Sequence, residues 1–429
     1  MILARRGSRP GYSLTTAHFQ AAYPFLAQGG LGAPGVYVGT DAYGGAWAFD
    51  PWELYSRKVM RSPNMIVLGG ISYAKSTLIK TYIYRQALFG RQAWVIDVKG
   101  EYELLASALG YKPIALRPGG EIRLNPLTRR GSREAQLSLL RAVARAALRR
   151  NLTPEEDAGL RVALDLVNGE AGAKDPTLPM VVQALLHPRE SMVQSVSATS
   201  AEDFAAANRE SALALQRLCE GDLRGMFDGP TSTGIDLEAP LVIIDLSAMR
   251  DSEALGVLMA CAGAWQQAML LERRRESERT GVPMRKVFCI FEEVWRVAFN
   301  LGVAEWIQAN FKLCRALGIC NVLSLHKLTD FGAAGAAGSR EARIAQGLTA
   351  DAGCIVAYRQ SPDQRPVLRD ELGFSETETE LSMSLELGEA IWKVGQHSAL
   401  VRQRMSSFER TITFTDEQMG VVGAGEGSA

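Results

Sequence analysis

Residues Asn64 to Thr77 read NMIVLGGISYAKST, and the interpretation of the whole chain turns on them. Four apolar residues, Met65 to Leu68, lead into Gly69-Gly70, then Lys75-Ser76-Thr77, then the helix-like run Leu78 to Phe89. This is the order strand, glycine turn, helix. From Gly69 to Ser76 the spacing is that of G-x-x-x-x-G-K-[ST], with Ala74 in place of the second glycine. The amides of Gly69, Gly70, Ile71, Ser72, Tyr73 and Ala74, and of the helix start at Lys75, Ser76 and Thr77, would then cradle phosphates. Unpaired N–H groups and the helix dipole both favour an anion there. Lys75 would reach the β/γ-phosphates of ATP, and Ser76 would bind Mg2+. The plainer alternative is an ordinary strand-to-helix turn with an exposed lysine.

Working outward, the 429 residues suffice for two or three structural units. Lys plus Arg and Asp plus Glu balance at 47 each, which gives no overall electrostatic footprint for coating nucleic acid or a membrane surface. The six cysteines, Cys219, Cys261, Cys289, Cys314, Cys320 and Cys354, form no CxxC pair and read as reduced core residues of a cytosolic protein. The first 20 residues lack an apolar signal core, and the longest apolar stretch, Ala254 to Leu271, is interrupted by Gln266 and Gln267. Neither a secretion signal nor a membrane span is expected.

Before the loop, Gly35 to Gly39 and Ala46 to Asp50 flank a turn-rich segment, the pattern of a β-hairpin, assigned to packing on the nucleotide domain. After it, Ala93 to Asp97 reads as a buried parallel strand, and Asp97, Lys99 and Glu101 at its end are candidates for the edge of a site. Ile114 to Leu116 is another short strand. From Ser132 to about Gly225 the periodicity is helical, over 135–150, 154–168, 180–186 and 201–219, which predicts an all-α insertion. Strands resume at Leu241 to Asp245, and a long helix over 252–279 ends in a charge run expected to be solvated. Residues 391–402 suggest a closing hairpin, and the Gly-rich segment beyond Phe414 is expected to be disordered. His187 and His397 read as surface or turn residues.

Lys286 to Phe291 is a buried strand ending in Glu292-Glu293. Two carboxylates there have a use in a phosphate-loop protein: Glu292 is assigned to the metal, and Glu293 to positioning or deprotonating the attacking water. A helix over 304–317 precedes strand Cys320 to Leu325, which ends in His326. Histidine at that tip can donate from one ring nitrogen and accept at the other, which suits a sensor of the γ-phosphate; a structural histidine is the alternative.

The order of these motifs resembles the HerA/FtsK superfamily of hexameric P-loop motors, and within it the large ATPase of conjugative type IV secretion, the VirB-four/TraC type. The resemblance is carried by Asn64 to Thr77, Asp97-Val-Lys-Gly-Glu101, Leu124-Asn-Pro-Leu127, Leu218 to Thr231, Val242 to Ser247, Phe291-Glu-Glu-Val-Trp295 and Leu387 to Val394. It implies an α/β, RecA-like P-loop NTPase with a mainly parallel sheet, an inserted all-α domain and a small N-terminal hairpin. The expected organisation is an N-terminal segment over 1–55, core over 56–131, insertion over 132–234, core again over 235–414 and a tail over 415–429. It also implies ATP and Mg2+ as cofactors, assembly into a homo-oligomer (a hexamer), and Arg315 as a finger reaching the neighbouring subunit's γ-phosphate. The implied location is cytoplasmic, at the inner face of the cell membrane through membrane-embedded channel components, with DNA bound directly or through a coupling protein.

The departures are Ala74 for glycine, Glu292 for the commoner aspartate, His326 for glutamine and Val98 for proline. The readings that follow are an ATP-hydrolysing motor of a conjugative secretion channel, a DNA translocase or coupling protein of the same superfamily, and a nucleotide-binding structural subunit without turnover.

Overall fold

The computed structural model describes residues 30–70, 73–128, 133–170, 172, 174–221, 223–252, 254–292, 301–327 and 340–414. Strands β1 (Val36–Asp41) and β2 (Ala46–Phe49) form a hairpin whose turn is closed by Asp41, which accepts from the amides of Tyr43 and Gly45. Asp50 caps α1 (Pro51–Ser56) through the amides of Trp52 and Glu53, with Pro51 at a position that needs no donor. Then come β3 (Met65–Leu68), α2 (Lys75–Leu88), β4 (Gln92–Asp97), α3 (Glu103–Ala108) and β5 (Ile114–Ala115). Helices follow: α4 (Arg133–Leu148), α5 (Pro154–Glu170), α6 (Leu178–Leu186), α7 (Glu190–Ser195) and α8 (Ala201–Glu220). The chain returns to the sheet with β6 (Leu241–Asp245), α9 (Leu255–Thr280), β7 (Val287–Phe291), α10 (Leu301–Leu317), β8 (Ile319–Leu325), α11 (Arg340–Ala350) and β9 (Cys354–Ala357). It ends with α12 (Glu376–Met383), β10 (Glu389–Val394), β11 (His397–Gln403) and α13 (Ser407–Thr413).

All the strands join one 11-stranded sheet in the order β2-β1-β11-β10-β9-β3-β8-β7-β4-β6-β5. From β9 to β5 every neighbouring pair is parallel, and from β9 to β2 every pair is antiparallel. The architecture is thus α/β with a mainly parallel sheet. The N-terminal hairpin packs on the core, Phe49 against Tyr82 of α2, and it also joins the sheet: β1 pairs with β11, so two hairpins from distant parts of the chain extend the sheet itself. The sequence reading also lacked β9, which lies directly beside the phosphate-loop strand.

Alternation along the parallel strands sends side chains to two cores. Ile66, Leu68, Trp94 and Ile96 face one, shared with Leu140, Val143, Leu164 and Leu215 of the helices between β5 and β6 and with Trp265 of α9, which stacks on Trp94 at 5.9 Å. Met65, Val67, Val95 and Phe288 face the other, shared with Leu78, Ile79 and Tyr82 of α2 and with Phe49 and Trp392 of the two hairpins. The charge run of α9 is not wholly solvated: Arg273 donates to Gln92 Oε1 and Leu237 O and lies over the Trp94 ring. All six cysteines are buried free thiols. Among the described residues no helix is long and apolar enough to cross a membrane. The tail over 415–429 lies outside the described residues.

Candidate functional site

Parallel register brings the ends of β3, β8, β7 and β4 to one edge of the sheet. Leu68 is level with Leu325, Phe291 with Leu323, and Ile96 with Phe291. β8 lies between the strand that leads into the glycine turn and the strand that ends at Glu292. The Gly69 amide donates to Leu325 O at 3.2 Å, so His326, half-buried, stands immediately beside the base of the loop.

At Gly69, φ is 157° and an added Cβ would lie 2.6 Å from Tyr358 Cβ, so only glycine lets the chain leave β3 against β9's end. Ala74 occupies the left-handed region at φ 70° and ψ 20°, where a glycine would stand in the full motif. A methyl group there costs roughly 1–2 kcal/mol, and the turn forms in spite of it. Ala74 offers no capping side chain to α2. The helix therefore opens with first-turn amides of Lys75, Ser76 and Thr77 that lack intrahelical acceptors, the arrangement that receives an anion. Lys75 is buried, and its ammonium donates to Gly69 O at 2.6 Å and Gly70 O at 2.7 Å. An ammonium curled onto loop carbonyls can exchange them for phosphate oxygens without leaving the loop. Ser76, Thr77 and Tyr73 are half-buried around it, and Ile71 and Ser72 lie outside the described residues.

Glu292 is 4% exposed and accepts a hydrogen bond from Tyr102 Oη at 2.8 Å. Burial pushes its carboxyl up to about 7, against the opposing pull of the Lys80 ammonium and the Tyr102 hydroxyl. Asp97, a sequence candidate for the site edge, ends β4 at that edge, and its carboxylate accepts from the amides of Lys99, Gly100 and Tyr102. Burial raises its pKa nonetheless. Glu101 pairs with Lys80 at 3.3 Å and Lys99 at 3.7 Å. Lys80 and Tyr102, both fully buried, are the residues the sequence reading missed. The available signal was a lysine inside the apolar run Leu78 to Ile83 of α2. Glu293 lies outside the described residues.

Arg315 is not brought to this edge. It is exposed at the end of α10, just before β8 begins, and its neighbour Cys314 contacts Ser62 ahead of β3, at the opposite edge of the sheet.

Among the described residues no group of three or more His, Cys, Asp or Glu is placed to hold a metal. A nucleotide-bound Mg2+ needs only one or two protein ligands, the rest being phosphates and water. The donor chemistry fits: an open helix start carrying the Ser76 hydroxyl, and a carboxylate at the end of β7, belong to the same sheet edge.

No family model matches the chain, and no curated protein matches it. Among solved structures it is similar to VirB4 of Thermoanaerobacter pseudethanolicus, with 20% identity over 88% of this chain and 98% of that one and a TM-score of 0.68. It is also similar to the plasmid coupling protein TrwB in complex with the non-hydrolysable ATP analogue ADPNP, at 16% identity, 82% and 87% coverage and a TM-score of 0.54. TrwB in complex with ADP and Mg2+ gives a TM-score of 0.53 at the same identity. The chain has the fold of these proteins.

Proposed function

We propose that this chain is an ATP-hydrolysing motor that energises assembly of, or substrate transfer through, a conjugative type IV secretion channel. One observation carries the reading: the phosphate-loop strand β3 and the acidic strand β7 end at the same sheet edge with β8 between them. The VirB4-like fold over nearly the full length of the chain supports the assignment to secretion. In this reading the loop amides and Lys75 bind the triphosphate and neutralise the charge that builds on the transferred phosphoryl group. Ser76 and Glu292 would hold Mg2+, which when bound would stabilise the negative charge of the phosphates. Glu293 positions or deprotonates the attacking water, and His326 reads the γ-phosphate from the tip of β8. The chain works as a homo-oligomer, a hexamer, in which Arg315 is supplied in trans. It sits at the cytoplasmic face of the membrane through channel components.

Phosphate release by the purified protein is the test. Lys75→Ala is expected to lose ATP binding, and Glu293→Gln to bind ATP and stop hydrolysing it. Normal turnover by Glu293→Gln would remove that residue from its role. Binding without any release by the assembled wild type would instead make the chain a nucleotide-bound structural subunit. The likeness to the coupling protein TrwB supports a second reading, a DNA translocase, which hydrolysis stimulated several-fold by DNA would favour.

A further inference from the structure

Behind Glu292 the chain builds a closed set of contacts that the nucleotide site alone does not require. Asp97 Oδ1 takes the amides of Lys99 and Gly100 at 2.9 Å, and its Oδ2 takes the Tyr102 amide at 3.2 Å, which winds residues 97–102 into one fixed turn. Gly100 has φ 77° in that turn, which favours glycine, and a Cβ there would lie 3.2 Å from the Ser247 side chain. The turn delivers the Tyr102 hydroxyl to Glu292 Oε1. From the other side Lys80, wholly buried on the helix that starts at the phosphate loop, places its ammonium 5.3 Å above the Tyr102 ring and 3.3 Å from Glu101 Oε2.

We propose that Tyr102 is a positioning residue for the acidic strand end: its hydroxyl fixes the Glu292 carboxylate, and Lys80 clamps the Tyr102 ring and Glu101 behind it. The inference rests on the reading of Glu292 as part of the nucleotide-metal site. A hydrogen bond from a neutral hydroxyl to a carboxylate is short and strong when buried, and it removes the side-chain freedom a ligand would otherwise lose on binding. Partners of this kind orient metal-binding carboxylates, and deleting one typically costs about 10- to 100-fold in metal affinity or activity. If Tyr102 merely filled the core, Phe would serve equally, since the ring and its contact with Lys80 would remain.

The decisive experiment titrates Mn2+ by electron paramagnetic resonance into the full-length chain saturated with a non-hydrolysable ATP analogue. Wild type, Tyr102→Phe, Glu292→Gln and the double variant are compared, with calorimetry of the metal-free analogue and thermal melts alongside. Tyr102→Phe is expected to melt within a few degrees of wild type and bind the metal-free analogue equally well, while its Mn2+ affinity falls about tenfold. In the Glu292→Gln background the same substitution should add no further loss. Wild-type Mn2+ affinity in Tyr102→Phe would overturn the proposal, as would an equal tenfold loss in the Glu292→Gln background. So would a joint collapse of analogue affinity and melting temperature. Wild type that binds no analogue at all would refute the nucleotide site itself, before any variant is compared.

Discussion

Glu292 sits out of water at the end of an apolar strand, and burial moves its carboxyl from 4.5 to about 7. Below 4.5 it is neutral in both folded and unfolded chains, so burial costs nothing. Between 4.5 and 7 the unfolded chain ionises first, and stability is lost as pH rises through that window. Glu292→Gln keeps an acceptor for Tyr102 and removes the ionisation. In nucleotide-free, metal-free buffer the variant should therefore match wild type near pH 4.5 and exceed it by on the order of 3 kcal/mol at pH 8. Chemical denaturation at the two pH values measures this, and a gap that does not change with pH would show that the carboxyl is not raised. The position of Glu292 at a strand end was legible in the sequence, because an apolar run stopping at two glutamates is a local pattern. Its surroundings were not, since Tyr102 lies 190 positions away and only the fold brings them together. Ala74 is similar: the spacing located it, but only the backbone reveals that it must adopt the left-handed conformation.

At the scale of elements, the phosphate-loop strand is fixed at its far end by Asn64. Its Nδ2 donates to Phe311 O at 3.0 Å and Asp351 O at 3.3 Å, and its Oδ1 accepts from the backbone and side chain of Asn321. One buried side chain thus ties β3 to α10, β8 and the turn before β9, and the Asn64 backbone carbonyl separately accepts from the amides of Gly353 and Cys354. Removing it strands several buried polar groups, each costing about 1–3 kcal/mol. Asn64→Ala should lower unfolding stability by about 2–3 kcal/mol in a urea titration, and a loss below about 1 kcal/mol would mean that the neighbours repair themselves. Elements with long or bounded patterns were readable, among them β3, β7 and both hairpins. β9 was not, because its four-residue apolar run has no period of its own and lacks the glycine turn and helix start that mark the end of β3. Nor was the joining of the hairpins, since the pairing of Gly39 with Gln403 leaves no local mark.

For the whole molecule, Arg315 offers a test of how many chains make a site. β8 starts just after Arg315 and ends beside the phosphate loop, and its seven residues at about 3.3 Å each span roughly 23 Å. An exposed arginine side chain cannot cover that distance within its own subunit, so a catalytic role for Arg315 requires a second copy of the chain. An arginine supplied to the transferred phosphoryl group is worth about 10³ to 10⁵ in rate. Arg315→Ala alone should therefore bind ATP normally and hydrolyse it at least a thousandfold more slowly. Lys75→Ala alone should fail at binding. Mixed in equal amounts under conditions that let subunits exchange, the two inactive variants should recover activity. Interfaces that join an intact loop of one variant to the intact arginine of the other make up about a quarter of a random mixture. Recovery toward a quarter of wild-type phosphate release would place Arg315 in its neighbour's site. No recovery, from variants shown by mass to have co-assembled, would remove Arg315 from the reaction and leave it as a surface residue of α10.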